Sequence, residues 1–345
     1  MMYMECSCQV TCEDPDGTSG CHNNCTRGKT CICPDGYFLQ GEHCVPPEEC
    51  GCFVHGIGVI REGEFYVPTP NCSHICHCNS GIFHCTSYNC HNDEICEIRN
   101  DKLKCFCEYG YHSDGQSCIR STDCMDLYKD GYIQDGAYTI SPHGWTFSPF
   151  EVYCERGWTV FQRRYDGSVN FDRSWNDYKE GFGSPDHEMW LGNEKLFFIT
   201  NQRDYELQID LVINNGTSRY LKYENFRISD EENKYRILFL GGYSGDTGPF
   251  LYFISTGYNY MRYHKQQQFT TRDRDYDDHN QDNCAVRHHG GWWYSKCYEI
   301  NLNGDYGNYT DVGICLTKKS TGTVELQCYV SFTQMKLRPE EYPRC

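Results

Sequence analysis

The sequence has 345 residues, enough for about two or three domains. Its formal net charge of −17 disfavours nucleic acids and anionic membranes as partners, because both bind basic surfaces. The same charge suits cations or a basic partner. No apolar run is long enough to span a bilayer, so membrane insertion is not predicted.

Cysteine is distributed very unevenly. Of 26 cysteines, 19 lie between Cys6 and Cys118 and seven follow. This density predicts disulfide-rich modules of a secreted, extracellular protein. The C-x-C pairs, such as Cys31-Ile32-Cys33, differ from the C-x₂₋₄-C spacing of zinc modules, so zinc is disfavoured. The first residues lack the apolar core of a signal peptide, so we expect further sequence before Met1.

Residues 1–51 contain too little apolar sequence to fold without cross-links. Their cysteine order, including Cys44-Val45-Pro46 and Cys50-Gly51-Cys52, resembles the trypsin-inhibitor-like module with its first cysteine missing. A serine protease inhibitor would need a basic or large apolar residue where Asn23 stands, so inhibition is the less favoured function. The resemblance leaves Cys31 unpaired and implies the bonds Cys6–Cys25, Cys8–Cys21, Cys12–Cys50 and Cys33–Cys44.

Residues 52–120 form a second cysteine-rich module, for which two interpretations remain open. The spacing Cys72-x₃-Cys76-x-Cys78 resembles the short module that follows trypsin-inhibitor-like units in von Willebrand-type proteins. The part from Cys85 onward resembles an EGF-like unit, which implies the bonds Cys85–Cys96, Cys90–Cys105 and Cys107–Cys118. Sequence alone does not choose the connectivity. Both interpretations predict a stiff spacer with little core.

Residues 121–345 are poor in cysteine, rich in aromatic residues and long enough to bury a core. Alternation of polar and apolar residues predicts a strand over Tyr205–Ile213. The pattern as a whole predicts an α+β domain. Further strands are expected over Trp158–Gln162 and Tyr235–Leu240, and short helices over Trp175–Tyr178 and Asn193–Phe198.

Several motifs of this region resemble the fibrinogen C-terminal domain, which is found in ficolins, tachylectins, tenascins and angiopoietins. They include Gly157-Trp158-Thr159-Val160 and Trp190-Leu191-Gly192-Asn193, and the resemblance extends over residues 121–338. It implies an α+β fibrinogen C-terminal globular domain, preceded by the small disulfide-rich modules. It also implies the disulfides Cys124–Cys154 and Cys284–Cys297. We infer an additional bond between Cys315 and Cys328.

An acidic loop runs from Phe269 to His279 and continues to Cys284. Its alternating carboxylates place several hard oxygen ligands together, which suits Ca²⁺. The resemblance implies Ca²⁺ as cofactor, with side-chain ligands from Asp275 and Asp277 and backbone carbonyls from His279 and Gln281.

The resemblance also implies a ligand pocket beside this loop, in which the Lys296–Cys297 peptide bond is often cis. This sequence departs from the lectin-like pattern, since Tyr298 replaces a histidine and Leu316 replaces a tryptophan. These departures leave the fold and the calcium loop expected and weaken the case for an acetylated sugar. The residues implied for the pocket are His288, Lys296, Cys297, Tyr298 and Tyr309.

Together these features predict a secreted, calcium-binding recognition protein that binds a glycan, such as an acetylated sugar in innate defence, or an extracellular protein. The alternative is an adhesive or structural protein of matrix or mucus. Sequons predict N-glycosylation at Asn215 and Asn308. Unassigned cysteines, Cys31 and Cys345, allow a disulfide-linked oligomer. No Ser/His/Asp or Cys/His motif is present, so an enzyme is not predicted.

Overall fold

A computed structural model describes residues 2–4, 10–12, 14, 30–40, 43–54, 57–79, 81–91, 93–100, 102–246, 259–320 and 323–340. Two compact units are formed. The first unit comprises residues 1–108 and 113–118, and the second comprises residues 109–112 and 119–345. None of the helices in the described ranges is both long and apolar enough to cross a membrane.

The first unit consists of short antiparallel strands tied together by disulfides. Its buried apolar cluster contains Val67, Cys72 and Cys105, so covalent links rather than a large core hold it together. A 3-10 turn spans Pro47–Glu49. The paired strands are Met2–Met4 with Thr30–Ile32, Phe38–Gln40 with His43–Val45, Cys52–Val54 with Gly58–Ile60, Phe65–Tyr66 with His74–Asn79, the latter also with Ile82–Ser87, and Glu94–Arg99 with Lys102–Cys107.

The disulfides of this unit follow the expected pairing only in part. The bond predicted between Cys85 and Cys96 is wrong. Cys85 instead bonds to Cys76, which lies directly opposite it in the hairpin of strands His74–Asn79 and Ile82–Ser87. Cys96 bonds to Cys72. Hairpin register thus decided the pairing. The other bonds between described residues of this unit are Cys12–Cys50, Cys33–Cys44, Cys90–Cys105 and Cys107–Cys118, all implied by the resemblances, and Cys52–Cys78.

Some expectations fall on residues beyond the described ranges. They are the bonds Cys6–Cys25 and Cys8–Cys21, the loop at Asn23, and Cys345. The backbone of Cys31 lies in the Thr30–Ile32 strand, whereas its side chain is not described.

The second unit is built on a nine-stranded antiparallel sheet. Its central strand, Val330–Pro339, belongs to the last part of the sequence and lies between Trp158–Arg164 and Tyr205–Ile213. Along the sheet the order is Gly136–Ile140, Phe150–Glu155, Trp158–Arg164, Val330–Pro339, Tyr205–Ile213, Ser218–Tyr223 and Tyr243–Asp246, with Met189–Trp190 joining Trp158–Arg164 to Phe182–Gly183.

Smaller strands complete the unit. Arg227–Ile228 pairs with Ile237–Phe239, so the strand expected over Tyr235–Leu240 is shorter than predicted. Further strands are Ile300–Asn301, Cys315–Ser320 and Thr323–Gln327, and two short strands, Tyr111–Ser113 and Cys118–Arg120, fall where the polypeptide passes from one unit to the other.

Short helices surround the sheet, and polar side chains define their starts. Ser174 and Asp177 form a capping box at one of them, and Asn283 accepts hydrogen bonds from the first turn of another. The two helices expected from the sequence are confirmed and extend further than predicted. The helices are Cys124–Lys129, Trp175–Glu180, Asn193–Gln202 and Cys284–Arg287, and a 3-10 turn spans Tyr260–His264.

A buried ion pair links the sheet to the loops beside it. The carboxylate of Glu188 accepts hydrogen bonds from four backbone N–H groups of residues 165–169, at 2.8 to 3.1 Å. Arg164 Nε lies 3.6 Å from the same carboxylate, and its Nη1 donates to the Gly304 carbonyl at 2.8 Å. Both side chains are almost fully buried, so each charge depends on the other for compensation.

We expect Glu188→Gln to destabilise the second unit by about 3–5 kcal/mol, because Arg164 would remain buried without a counter-charge. Urea unfolding followed by tryptophan fluorescence measures this, since all six tryptophans lie in the second unit. The exposed Glu151→Gln serves as the matched control and should change stability by less than about 0.5 kcal/mol. Equal stability of the two variants would contradict the role given to Glu188.

A buried histidine braces the region behind the acidic loop. His264 is fully buried, and its Nδ1 donates to the Trp293 carbonyl at 2.7 Å. Its Nε2 accepts from the backbone N–H groups of Glu299 and Ile300, each at 3.3 Å. The ring must therefore be neutral, and burial lowers the pKa of His264 to about 4.

Stability of the second unit should fall as the pH drops from about 6.5 towards 4. In this window the unfolded state binds a proton at His264 that the folded state excludes, which costs up to about 3 kcal/mol. Urea unfolding in EDTA at stepped pH values measures the slope. His264→Gln should be less stable but show a shallower slope, whereas the exposed His143→Gln should keep the wild-type slope.

Candidate calcium loop and adjoining pocket

The acidic loop leaves the core at Phe269 and is fixed at both ends. Backbone N–H groups of Thr270 and Trp292 donate to each other's carbonyls at 2.9 and 3.1 Å. The Asp273 carboxylate accepts from the Trp175 backbone N–H at 2.8 Å, so it anchors the loop to the Trp175–Glu180 helix. The loop is therefore held in one shape by the aromatic core beneath it.

Two carboxylates are held side by side within this loop. Asp277 accepts from the backbone N–H groups of His279, at 2.7 Å, and Cys284, at 2.8 Å. Asp275 accepts from the backbone N–H of Asp277 at 3.3 Å. Burial raises the pKa of Asp277, and the adjacent Asp275 charge raises it further. A bound cation would relieve both effects.

The four residues expected to ligate Ca²⁺ all line one depression of about 290 Å³. Six of its seven lining residues carry carboxylate or amide side chains, whose hard oxygens fit Ca²⁺. The ring of His279 is engaged by the backbone of Asp282, whose N–H donates to Nδ1 at 3.2 Å. The lining residues are Asp275, Asp277, His279, Asn280, Gln281, Asp282 and Asn283.

Two groups of potential metal ligands of another kind occur in the first unit. Within the described ranges, the groups of three are Cys72, Cys90 and Cys96, and Glu94 with Cys107 and Cys118. Every cysteine in them is disulfide-bonded. These thiols are consumed, so the groups do not offer a thiolate metal site.

The acidic loop is joined directly to the segment that forms the predicted pocket. The backbone N–H of Asp278 donates to the Ser295 carbonyl at 3.0 Å, and the Ser295 hydroxyl donates to the Asp278 carboxylate at 3.2 Å. The disulfide Cys284–Cys297 closes the same region, and the Lys296–Cys297 peptide bond is cis. The loop and the pocket segment therefore form one cross-linked framework.

Three of the residues expected in the pocket form a buried wall. His288 and Tyr298 are each 5% exposed and Cys297 is 7% exposed. His288 Nδ1 and the Tyr298 hydroxyl both donate to the Asp311 carbonyl, at 2.7 and 2.9 Å. The two rings meet edge to face with centroids 4.8 Å apart. Lys296, by contrast, is exposed.

This wall carries no charge at neutral pH. Burial lowers the pKa of His288 and raises the pKa of Tyr298, so neither side chain is ionised. Because the Asp311 carbonyl can only accept, His288 Nδ1 carries the proton and Nε2 keeps its lone pair. A neutral wall of aromatic rings and polar edges suits an uncharged group such as an amide or acetyl.

Tyr309 belongs to a different cluster. It is 55% exposed, and its ring stacks on Tyr329 with centroids 5.4 Å apart. Its hydroxyl accepts from the Asn214 side chain at 3.2 Å. The structure thus places Tyr309 beside the Cys315–Cys328 disulfide, which is formed, rather than in the His288 wall.

Sequence reasoning missed several residues of the framework. Asp311 orients the wall through its carbonyl, and the Tyr263 hydroxyl accepts from the Lys296 backbone N–H at 3.3 Å. In the sequence, His264 is one of several histidines without a catalytic motif. These contacts join segments that are distant in the sequence, and no local motif indicates them.

Known proteins share both parts of this architecture. Residues 120–340 match the family model "Fibrinogen beta and gamma chains, C-terminal globular domain", and residues 1–50 match the "Trypsin Inhibitor like cysteine rich domain". Human fibrinogen-like protein 1 is 41% identical over 235 residues, covering 64% of this chain and 72% of that protein. Fibrinogen C domain-containing protein 1 of Xenopus tropicalis is 38% identical over 231 residues, covering 63% and 47%.

Solved structures agree with this assignment. The fibrinogen-like globe domain of human ANGPTL2 is 34% identical with a TM-score of 0.55, covering 64% of this protein and 99% of that domain. Lamprey fibrin D-dimer, complexed with the peptide ligand Gly-His-Arg-Pro-amide, is 33% identical with a TM-score of 0.55, covering 67% and 80%. With a family match over residues 120–340, the protein belongs to the family that carries the C-terminal globular domain of the fibrinogen β and γ chains.

Proposed function

We propose that this protein is a secreted recognition protein whose fibrinogen-like domain binds Ca²⁺ in the acidic loop and a ligand at the adjoining wall. The observation that carries the proposal is the pair of hydrogen bonds between Asp278 and Ser295. Through them, ordering of the acidic loop is transmitted to the segment beside Cys297. Recognition would then depend on calcium without any catalytic group.

In this proposal, Asp275 and Asp277 supply carboxylate ligands and His279 and Gln281 supply backbone carbonyls. The bound ion supplies positive charge that neutralises the loop. The residues themselves keep the loop closed, since the Asp277 carboxylate already holds the first N–H of the Cys284–Arg287 helix. Asp278 is left to hold Ser295.

The ligand proposed first is an acetylated sugar. The neutral wall of His288 and Tyr298 favours a small uncharged group, and the exposed Lys296 side chain lies next to it, where it could contact a polar neighbour of that group. The peptide bound by the lamprey relative makes an extracellular protein the second candidate, and the net charge of −17 suits a basic segment.

An adhesive or structural role in matrix or mucus is the alternative function. It is favoured by the first unit, in which disulfides rather than a core hold short hairpins together, as in a rigid spacer. Interchain bonds through Cys31 or Cys345 would extend such a structure, and N-glycans on Asn215 and Asn308 would keep it soluble. Non-reducing electrophoresis showing only monomer would contradict the interchain bonds.

Calcium should stabilise the second unit against heat, by about 2.7 kcal/mol at a concentration one hundred times Kd. In Asp277→Asn, the calcium concentration needed for the same stabilisation should rise at least about tenfold, because the substitution removes a charged ligand. Differential scanning fluorimetry in EDTA and in a calcium series measures it. Asp186→Asn, an exposed carboxylate elsewhere on the unit, should behave as wild type. A full calcium response in Asp277→Asn would contradict the site.

Binding to an immobilised N-acetyl sugar should require calcium and reverse with EDTA or free N-acetyl sugar. Asp278→Ala should lower retention by about fivefold, the loss of roughly one hydrogen bond, while leaving the calcium-dependent thermal shift intact. Lys265→Ala, an exposed change nearby, is the control.

The outcomes separate the candidates. No retention in calcium, with the thermal shift present, would overturn the sugar ligand and retain the calcium site. Calcium-dependent binding of Gly-His-Arg-Pro-amide under the same conditions would then support a protein ligand.

A further inference from the structure

A second cavity lies on the fibrinogen-like unit among residues that the calcium loop and its pocket do not use. Its volume is about 580 Å³, and cationic and aromatic residues dominate its lining. This concentration of positive charge contrasts with the net charge of −17 of the whole protein. The lining has four cations, Lys129, Arg156, Lys336 and Arg338, against one carboxylate, Glu155, and two aromatic rings, Tyr128 and Trp158.

The two inner cations are already paired. Lys336 contacts the carboxylates of Glu155 at 2.5 Å and Asp210 at 2.6 Å, and Arg338 contacts that of Glu206 at 2.7 Å. The acidic lining residue Glu155 is therefore itself neutralised by Lys336. Arg338 also places its guanidinium 4.4 Å from the centre of the Trp158 ring. These contacts fix the floor of the cavity and leave little of its charge uncompensated.

The two outer cations are exposed and unpaired. Neither Lys129 nor Arg156 forms an ion pair with a carboxylate in the described ranges, whose ion pairs involve other residues. Both side chains line the cavity. An anionic group in the cavity would therefore meet the ammonium of Lys129 and the guanidinium of Arg156, neither of which has a carboxylate partner.

Arg156 occupies a turn position whose backbone conformation favours asparagine. Glu155 pairs with Trp158, so Arg156-Gly157 is a two-residue hairpin turn. Its φ values of 49° and 81° correspond to a type I′ turn, which favours Asn-Gly. A side chain on Gly157 would lie 2.8 Å from Met125, so the turn packs tightly at this point. The backbone preference of the turn therefore does not explain an arginine at this position.

Aromatic side chains complete the cavity. Trp158 is 8% exposed and forms the floor, while Tyr128 is 38% exposed. Sugar rings stack their C–H faces on such aromatic surfaces, and the volume lies within the range of small-ligand sites. Long polyanions would be repelled by the acidic remainder of the protein, whereas a short anion would not.

We propose that this cavity binds a short acidic saccharide, a sugar carrying a sulfate or a carboxylate. Its anionic group contacts Lys129 and Arg156, and its ring packs against Tyr128. The site is separate from the calcium loop, so neither EDTA nor Asp277→Asn abolishes it.

Titration calorimetry on the full-length protein in EDTA tests the proposal with a sulfated heparin-derived disaccharide, an unsulfated uronate disaccharide and lactose. Binding of an acidic disaccharide, absent with lactose, is expected. It should weaken several-fold when salt rises from about 50 to about 300 mM. The sulfated and uronate arms distinguish the two sources of negative charge.

Arg156→Asn is the decisive variant. It should weaken binding about tenfold while leaving the melting temperature unchanged or higher, since Asn-Gly suits the turn. Lys129→Gln should weaken binding similarly, and Lys265→Gln, an exposed cation elsewhere, should not. The proposal is overturned if neither acidic disaccharide binds, if lactose binds equally, or if Arg156→Asn binds as wild type.

Discussion

The fibrinogen-like unit depends on one buried carboxylate. The Glu188 carboxylate accepts hydrogen bonds from four backbone N–H groups of residues 165–169 and balances the charge of Arg164. Arg164 in turn donates a hydrogen bond to the Gly304 carbonyl. Removing two charges from water costs free energy, unless the two charges pair with each other and further hydrogen bonds satisfy their remaining polar atoms. Because the partners come from a sheet strand and two separate loops, this requirement allows few arrangements of the loops. The loops of residues 165–169 and of Gly304 are therefore held in place by a buried ionic contact.

The acidic loop and the segment proposed to bind a ligand use the same principle at smaller scale. Asp277 holds a helix start, Asp278 holds Ser295, and His264 holds the strand and loop behind them. Backbone groups satisfy Asp277 and His264, and the Ser295 hydroxyl satisfies Asp278, so these side chains have fixed positions. Ligand and metal would meet a surface that needs little rearrangement, which lowers the entropic cost of binding.

Local patterns in the sequence predicted much of this. Alternating residues predicted the Tyr205–Ile213 strand, and alternating carboxylates brought Asp275 and Asp277 to one depression. Motifs of the fibrinogen C-terminal family supplied the fold. The pairing of Cys85 with Cys76 was missed because it depends on hairpin register, and the exposed position of Tyr309 because it depends on how distant loops pack. The burial that lowers the pKa of His264 was equally invisible, since it arises from folding itself.

The central position of the Val330–Pro339 strand has a consequence for biosynthesis. Its two neighbours, Trp158–Arg164 and Tyr205–Ile213, are made more than one hundred residues earlier and must wait during synthesis for the strand that joins them. The unpaired N–H and C=O groups at their edges are meanwhile open to wrong pairing. The described hairpins of the first unit wait less, because their partner strands lie close in sequence. Chaperone dependence should therefore rest with the fibrinogen-like unit, and a nonsense codon shortly before residue 330 should leave a sheet divided in two.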